Sequence, residues 1–166
     1  MTTPKPGTIG LSIIRGRVGL LIRIGEFLNG NGWTYTHTWI LAEDDQVFAA
    51  YPGGASYQSL ASEIAMRGPI AYVDIPVTDN ERAAVLAELP GLAGTPYSYL
   101  EYLALAARRL GVRSKRLDAY IASAGHMICS QLAAEAYRRA GVIIFKDGRL
   151  PQDVTPGDFA SLPLYK

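Results

Sequence analysis

A single cysteine, Cys129, stands in a chain of 166 residues. One thiol cannot build an intrachain disulfide framework or a multi-thiolate zinc site, each of which needs at least two cysteines. Whatever this chain folds into must therefore be held by a hydrophobic core. The composition supplies one, with 49% hydrophobic and 19% charged residues, far from the apolar-poor signature of disordered chains. Against a typical ~150 residues per domain, the length predicts one domain over residues 1–166. Sixteen Lys and Arg against fifteen Asp and Glu leave a net charge of +1, so no global field recruits nucleic acid and none is expected as a partner. Arg15, Arg17 and Arg23 interrupt every apolar run near the N-terminus. They leave neither a secretion-signal core nor the roughly 20 apolar residues of a membrane span. The expectation is a chain without a membrane span, cytoplasmic by default, of open oligomeric state.

Periodicity and punctuation predict the elements. Gly7 to Arg15 reads as a strand softened by Gly10, and residues 18–28 as a helix stopped by the Asn-Gly cluster at 29–32. Trp33 to Ala42 and Gln46 to Ala50 read as a β-hairpin around the acidic Glu43-Asp44-Asp45, with Tyr51-Pro52-Gly53-Gly54 turning the chain afterwards. Ile70 to Ile75 is a further strand. Thr78 and Glu81 have capping-box spacing and open a helix to about Leu89. A second helix carries Tyr99, Leu103, Ala106 and Leu110 on one stripe, and a third runs from about Met127 to Ala140, closed by Arg138, Arg139 and Gly141. Val142 to Phe145 reads as a late strand, and a short helix is expected near Thr155 to Ser161. Strands at both ends with helices between them predict an α+β domain whose sheet brings early and late residues together.

That arrangement singles out Cys129 and His37. Cys129 lies in the first turn of the third helix, where free N–H groups and the positive end of the dipole favour a thiolate. Leu132, Ala133, Ala136 and Ala140 follow on the same stripe, the pattern a merely packed cysteine would also show. His37, in Tyr35-Thr36-His37-Thr38-Trp39, starts a strand among bulky neighbours. An imidazole there could take the thiol proton at neutral pH and return it to a leaving group. His126 is a second candidate, but a base generally approaches from a separate element. Arg108, Arg109, Arg113, Lys115 and Arg116 form a basic run that is either a solvated face or a docking patch for an anionic polymer. Neither a phosphate-binding loop nor paired metal-ligand spacing is present, so no cofactor and no metal are expected.

Three passages carry a resemblance: Tyr35-Thr36-His37 leading through a hairpin to Ala50-Tyr51-Pro52-Gly53-Gly54; Gly94-Thr95-Pro96-Tyr97-Ser98-Tyr99; and Ile128-Cys129-Ser130-Gln131-Leu132 running to Ala140-Gly141. Together, in this order, they resemble the circularly permuted branch of the NlpC/P60 papain-like superfamily, which includes YiiX-like hydrolases and, more distantly, lecithin:retinol acyltransferases. The closing Val154-Thr155-Pro156-Gly157-Asp158 fits too. The resemblance implies a circularly permuted papain-like α+β fold, an antiparallel sheet packed against helices, with Cys129 as nucleophile and His37 as base. It also implies a cysteine hydrolase that cleaves an amide bond, in a peptidoglycan stem peptide or an aminoacyl conjugate, through a thioester. The alternatives are a lipid acyltransferase or thioesterase on the same fold, or an inactive binding module. The substrate would be a small peptide, a cell-wall fragment or an acyl compound. Tyr97 falls where relatives place an aromatic near the cleft. One position departs from the pattern: where relatives carry a polar residue that orients the imidazole, on the hairpin's second strand, this chain has Ala49. A backbone carbonyl, Gln131, Tyr51 or a water would have to serve instead.

Overall fold

Short runs of β-branched and aromatic residues, separated by tight turns, make the sheet. The structure is a computed structural model and describes residues 4–28, 35–67, 70–98, 107, 111–112, 114–116, 119 and 127–165. Its strands are β1 (Ile9–Ser12), β2 (His37–Leu41), β3 (Gln46–Tyr51), β4 (Gly54–Ser59) and β5 (Ala71–Tyr72). They lie in the order β4-β3-β2-β1-β5, every neighbouring pair antiparallel. The β2–β3 turn places Asp44 and Asp45 at φ 55° and 54°. A two-residue primed turn requires that left-handed geometry, and Asp tolerates it better than most residues. The anticipated hairpin is therefore present. The Tyr51-Pro52-Gly53-Gly54 turn leads on into β4, a small and polar strand that hydrophobic patterning does not announce.

Alternation along the strands separates two faces. Ile9, Leu11, Ile40, Phe48 and Ala50 face the larger core, where they meet Val85, Leu89 and Leu92 of α3 (Asp79–Leu92) and Leu132, Ala133, Ala136 and Tyr137 of α4 (Cys129–Arg139). Trp39, Leu41, Val47, Ala49 and Tyr51 cluster on the opposite face with Leu60, the first residue of α2 (Leu60–Arg67). Gly10 belongs to this second face, paired with Trp39. A Cβ at Gly10 would stand 2.3 Å from the indole ring. The residue that looked like a weakness in the strand is the space into which Trp39 packs.

The remaining helices are α1 (Gly16–Leu28) and α5 (Pro156–Ala160), with a 3-10 turn over Pro151–Asp153. The capping box of α3 forms as its spacing predicts: Glu81 N–H donates to Thr78 Oγ1 at 3.2 Å, and Thr78 N–H donates to Glu81 Oε2 at 2.7 Å. The second helix expected from Tyr99 lies outside the described residues. Val142 to Phe145 is a correction, because no strand forms there. Gly141 turns left-handed at φ 77° and Val142 N–H returns to the Tyr137 carbonyl at 2.9 Å, closing α4. Beyond it Phe145 packs on Phe159, with ring centroids 5.4 Å apart. The sheet thus consists of residues from the first 72, and the C-terminal segment reaches it through a bridge between Val73 and Leu164. Early and late residues meet because α4 packs on the sheet. The α+β architecture, an antiparallel sheet packed against helices, is as expected.

Candidate active site

The site forms where β1, β2 and β3 end beneath α2. His37 is the first residue of β2 and pairs across the sheet with Ser12 of β1. The parity that sends Trp39 and Leu41 toward α2 sends His37 and Ser12 there as well. α2 answers with Glu63, completely buried. Ser12 Oγ donates to Glu63 Oε1 at 2.8 Å and Tyr51 Oη donates to Oε2 at 3.3 Å. One helical turn on, Arg67 Nε lies 2.9 Å from Oε1 and 3.1 Å from Oε2, and its guanidinium stands 5.6 Å from the centre of the Tyr51 ring. His37 Nε2 is 3.7 Å from Glu63 Oε1, and the imidazole tilts against Tyr51 with centroids 5.6 Å apart. Neither ring nitrogen of His37 has a hydrogen-bond partner among the described residues. A carboxylate held by three donors thus backs a buried imidazole that keeps both nitrogens unused.

Cys129 arrives from the other core as the first residue of α4. The β2–β3 ladder stops at Ile40↔Phe48, and just beyond that point the Thr38 amide is directed at the sulfur, with the amides of Ser130 and Cys129 itself. The residue after His37 therefore touches the thiol, and Tyr51, which lies against the imidazole, feels the charge of Cys129 as well. The structure brings the two sequence candidates to the same end of the sheet. Their electrostatics differ from expectation. Burial pushes the Cys129 thiol up to about 11, outweighing the three amides and the Arg67 charge that favour the thiolate. Burial first, and then the Arg67 guanidinium, hold His37 well below its ordinary 6.5. The helix N-terminus does not by itself ionise this cysteine, because losing water costs a thiolate more than a few amides return. At neutral pH the thiol and the imidazole are both uncharged.

No family model matches the chain, and no curated protein does. Among solved structures, the crystal structure of the metalloprotein yiiX from Escherichia coli O157:H7 matches with a TM-score of 0.68 and 16% identity, over 98% of this chain and 95% of that one. The fold is similar to that of yiiX. At this identity the likeness concerns the fold, and the site must be argued from its own atoms.

Within this yiiX-like fold the other candidates separate. Ala49 is buried in the Trp39 cluster on the same face as His37, and the carboxylate beside the imidazole comes from α2, which follows β4. Tyr51, weighed as a substitute orienter, reaches Glu63 by its hydroxyl. Gln131 is engaged elsewhere: its Oε1 accepts from Ile128 N–H at 3.0 Å and its Nε2 donates to the Gln152 carbonyl at 3.0 Å. It caps α4 and ties it to the 3-10 turn. Tyr97 is half-buried against Ile22 and Ile128, next to the cysteine segment, which the Met127 N–H bond to the Pro96 carbonyl draws toward the same loop. His126, Tyr99, Arg108, Arg109 and Arg113 lie outside the described residues, while Lys115 and Arg116 are exposed. Sequence reasoning missed Glu63 and Arg67. Their i, i+4 spacing was a helix signal on offer, but such pairs ordinarily decorate solvated faces, and only the tertiary packing of α2 buries this one.

Proposed function

We propose that the chain is a cysteine hydrolase of the permuted papain-like type, with Cys129 as nucleophile, His37 as general base and acid, and Glu63 as the group that holds the imidazole. What supports this reading is that the Thr38 amide, next in the chain to His37, is directed at the Cys129 sulfur, and that Glu63 Oε1 lies 3.7 Å from the imidazole. With Nε2 3.7 Å from Glu63 Oε1, this reading assigns the thiol proton to Nδ1. In the first step Sγ bonds to the acyl carbon while its proton passes to Nδ1; the same proton then leaves with the departing amine and a thioester remains. Water, activated in turn by the neutral imidazole, cleaves the thioester and frees the thiol. Since the resting pair is neutral, proton transfer accompanies attack and does not precede it. Amides directed at the sulfur reduce the cost of negative charge on it as the proton leaves. The amide substrates implied by the resemblance, a stem peptide or an aminoacyl conjugate, remain the reading for the leaving group.

The solved neighbour is called a metalloprotein, but the donor set here does not suit a metal. Both Glu63 oxygens already accept from Ser12, Tyr51 and Arg67, and the guanidinium would stand beside any cation. Among the described residues no group of three or more His, Cys, Asp or Glu side chains is arranged to hold one.

The test offers the protein stem peptides, aminoacyl amides and acyl thioesters and follows its intact mass. The hydrolase reading expects an acyl adduct on Cys129 and released amine or thiol, both abolished by Cys129→Ala. A folded protein that forms no adduct with any of these favours the second reading, a binding module. That reading draws support from the deep burial of both groups, at 3% exposure for Cys129 and 2% for His37.

A further inference from the structure

The ion pair behind the imidazole leaves the forked end of a guanidinium unused. Arg67, the last residue of α2, meets Glu63 through Nε, 2.9 Å from Oε1 and 3.1 Å from Oε2. Its terminal nitrogens, Nη1 and Nη2, make no hydrogen bond among the described residues. A guanidinium is a planar fork whose parallel N–H groups match the two oxygens of a carboxylate. The side chain is 15% exposed, so part of it is open to solvent while the rest is shielded, and Tyr51 packs against it with its ring centre 5.6 Å away. Close by stands a second group without a partner: His37 is buried and uses neither ring nitrogen. Glu63 connects the two, touching Arg67 and lying 3.7 Å from His37. The Arg67 charge is felt by His37 and by Cys129 alike. Buried polar groups are ordinarily satisfied within a fold, so unused groups on both sides of one carboxylate point to a partner from outside.

We propose that Nη1 and Nη2 of Arg67 hold a substrate carboxylate, and that the amine released at this site is therefore an amino acid. The carboxylate site stands on the unused fork; the assignment to the leaving fragment rests on the hydrolase reading. In that reading the imidazole hands the thiol proton to the leaving nitrogen. Both side chains that hold Arg67, Glu63 and Tyr51, also lie against the imidazole, so the anion that Arg67 holds belongs with the nitrogen and not with the acyl group kept on sulfur. The Sγ–C bond forms, the C–N bond breaks, the proton moves to nitrogen, and the amino acid departs with its carboxylate unchanged. Glu63 cancels the charge of Arg67 at long range, so selection comes from the short paired hydrogen bonds made in the shielded site.

Binding and turnover are measured separately. Cys129→Ala, which cannot form the thioester, is titrated by NMR with N-acetyl amino acids of small, apolar, acidic and basic side chains, and with the carboxamide of each. The acid of the preferred side chain is expected to bind at least about tenfold more tightly than its amide. Arg67→Lys keeps a charge for Glu63 but loses the fork, and should cut that ratio at least about threefold. Glu63→Gln/Arg67→Met leaves neither charge unpaired and should abolish the preference. Equal binding of acid and amide, no binding by any pair, or a preference that survives the double variant overturns the proposal. The wild type should release amine from the acids faster than from the carboxamides. Turnover without that preference overturns the proposal and leaves the hydrolase reading standing. Preferential binding by Cys129→Ala with no turnover by the wild type removes the hydrolase reading and the leaving-group assignment, and upholds the carboxylate site.

Discussion

Replacing Glu63 by Gln keeps the shape of the side chain and removes its charge. Three groups lose by it. Arg67, 15% exposed, loses the carboxylate that both of its contacts reach, and Ser12 and Tyr51 face an amide whose nitrogen donates where the second oxygen accepted. Breaking a buried ion pair from one side typically costs 3–5 kcal/mol, because the surviving charge stays desolvated. Arg67 can turn partly toward water, so the lower end applies, about 3 kcal/mol. For a chain of this size that corresponds to a fall in Tm of about 6–12 °C. Glu63→Gln/Arg67→Met removes both charges, so the cycle should be strongly non-additive, with the double variant more stable than Glu63→Gln alone. Urea denaturation of the four proteins measures this directly. A Glu63→Gln variant within about 0.5 kcal/mol of wild type, or a double variant that is simply the sum of the singles, would refute the claim that a buried, mutually dependent pair backs the imidazole.

Other outcomes follow from the same geometry. With a thiol at about 11 against an ordinary 9.0, the thiolate fraction of Cys129 at pH 7 is about 100-fold smaller than that of a free thiol. Alkylation by iodoacetamide in the folded protein should be slower by at least that factor, and a rate equal to that of a free thiol would contradict it. The same shift acts on stability. Between pH 9 and 11 the unfolded chain ionises this thiol while the folded chain does not, so the contribution is intact below pH 9 and is lost as pH rises toward 11. Measured as the difference between wild type and Cys129→Ala, this loss is about 3 kcal/mol, and a flat difference across that range would count against it. Gly10→Ala places a methyl group against the fully buried Trp39 ring and should cost about 3 kcal/mol, the upper end for overpacking. A silent substitution in urea denaturation would mean that the indole does not sit over Gly10.

The hairpin, the capping box of α3 and the helix beginning at Cys129 were legible in the sequence because each rests on local spacing. His37 and Cys129 were singled out by residue type, position within an element and the order of the resembling passages, and the structure lays the amide next to His37 against the sulfur. Glu63 was not legible. It lies on a helix of eight residues that follows a polar strand, and the local pattern of Leu60 to Arg67 is equally that of a solvated turn. Its burial is decided by β1, β2 and β3, which present Ser12, His37 and Tyr51 to it together. The Val142 to Phe145 run misled for the complementary reason: its apolar residues have strand propensity, but a left-handed Gly141 and the helix beside it settle them in a loop. The state of the thiol was misjudged because a helix N-terminus is visible in a sequence, whereas the water excluded from it is not.

The central claim is that the Cys129 proton is taken by His37, and the pH dependence of Cys129 acylation by a small activated ester tests it most directly. The account predicts a rate that rises through an apparent pKa below 6.5 and then stays level across neutral pH, since a neutral imidazole is the requirement. In His37→Ala the plateau should vanish, leaving a slow reaction that climbs with ionisation of the thiol toward pH 11. A wild-type rate that climbs tenfold per pH unit through neutrality and superimposes on that of His37→Ala would contradict the account.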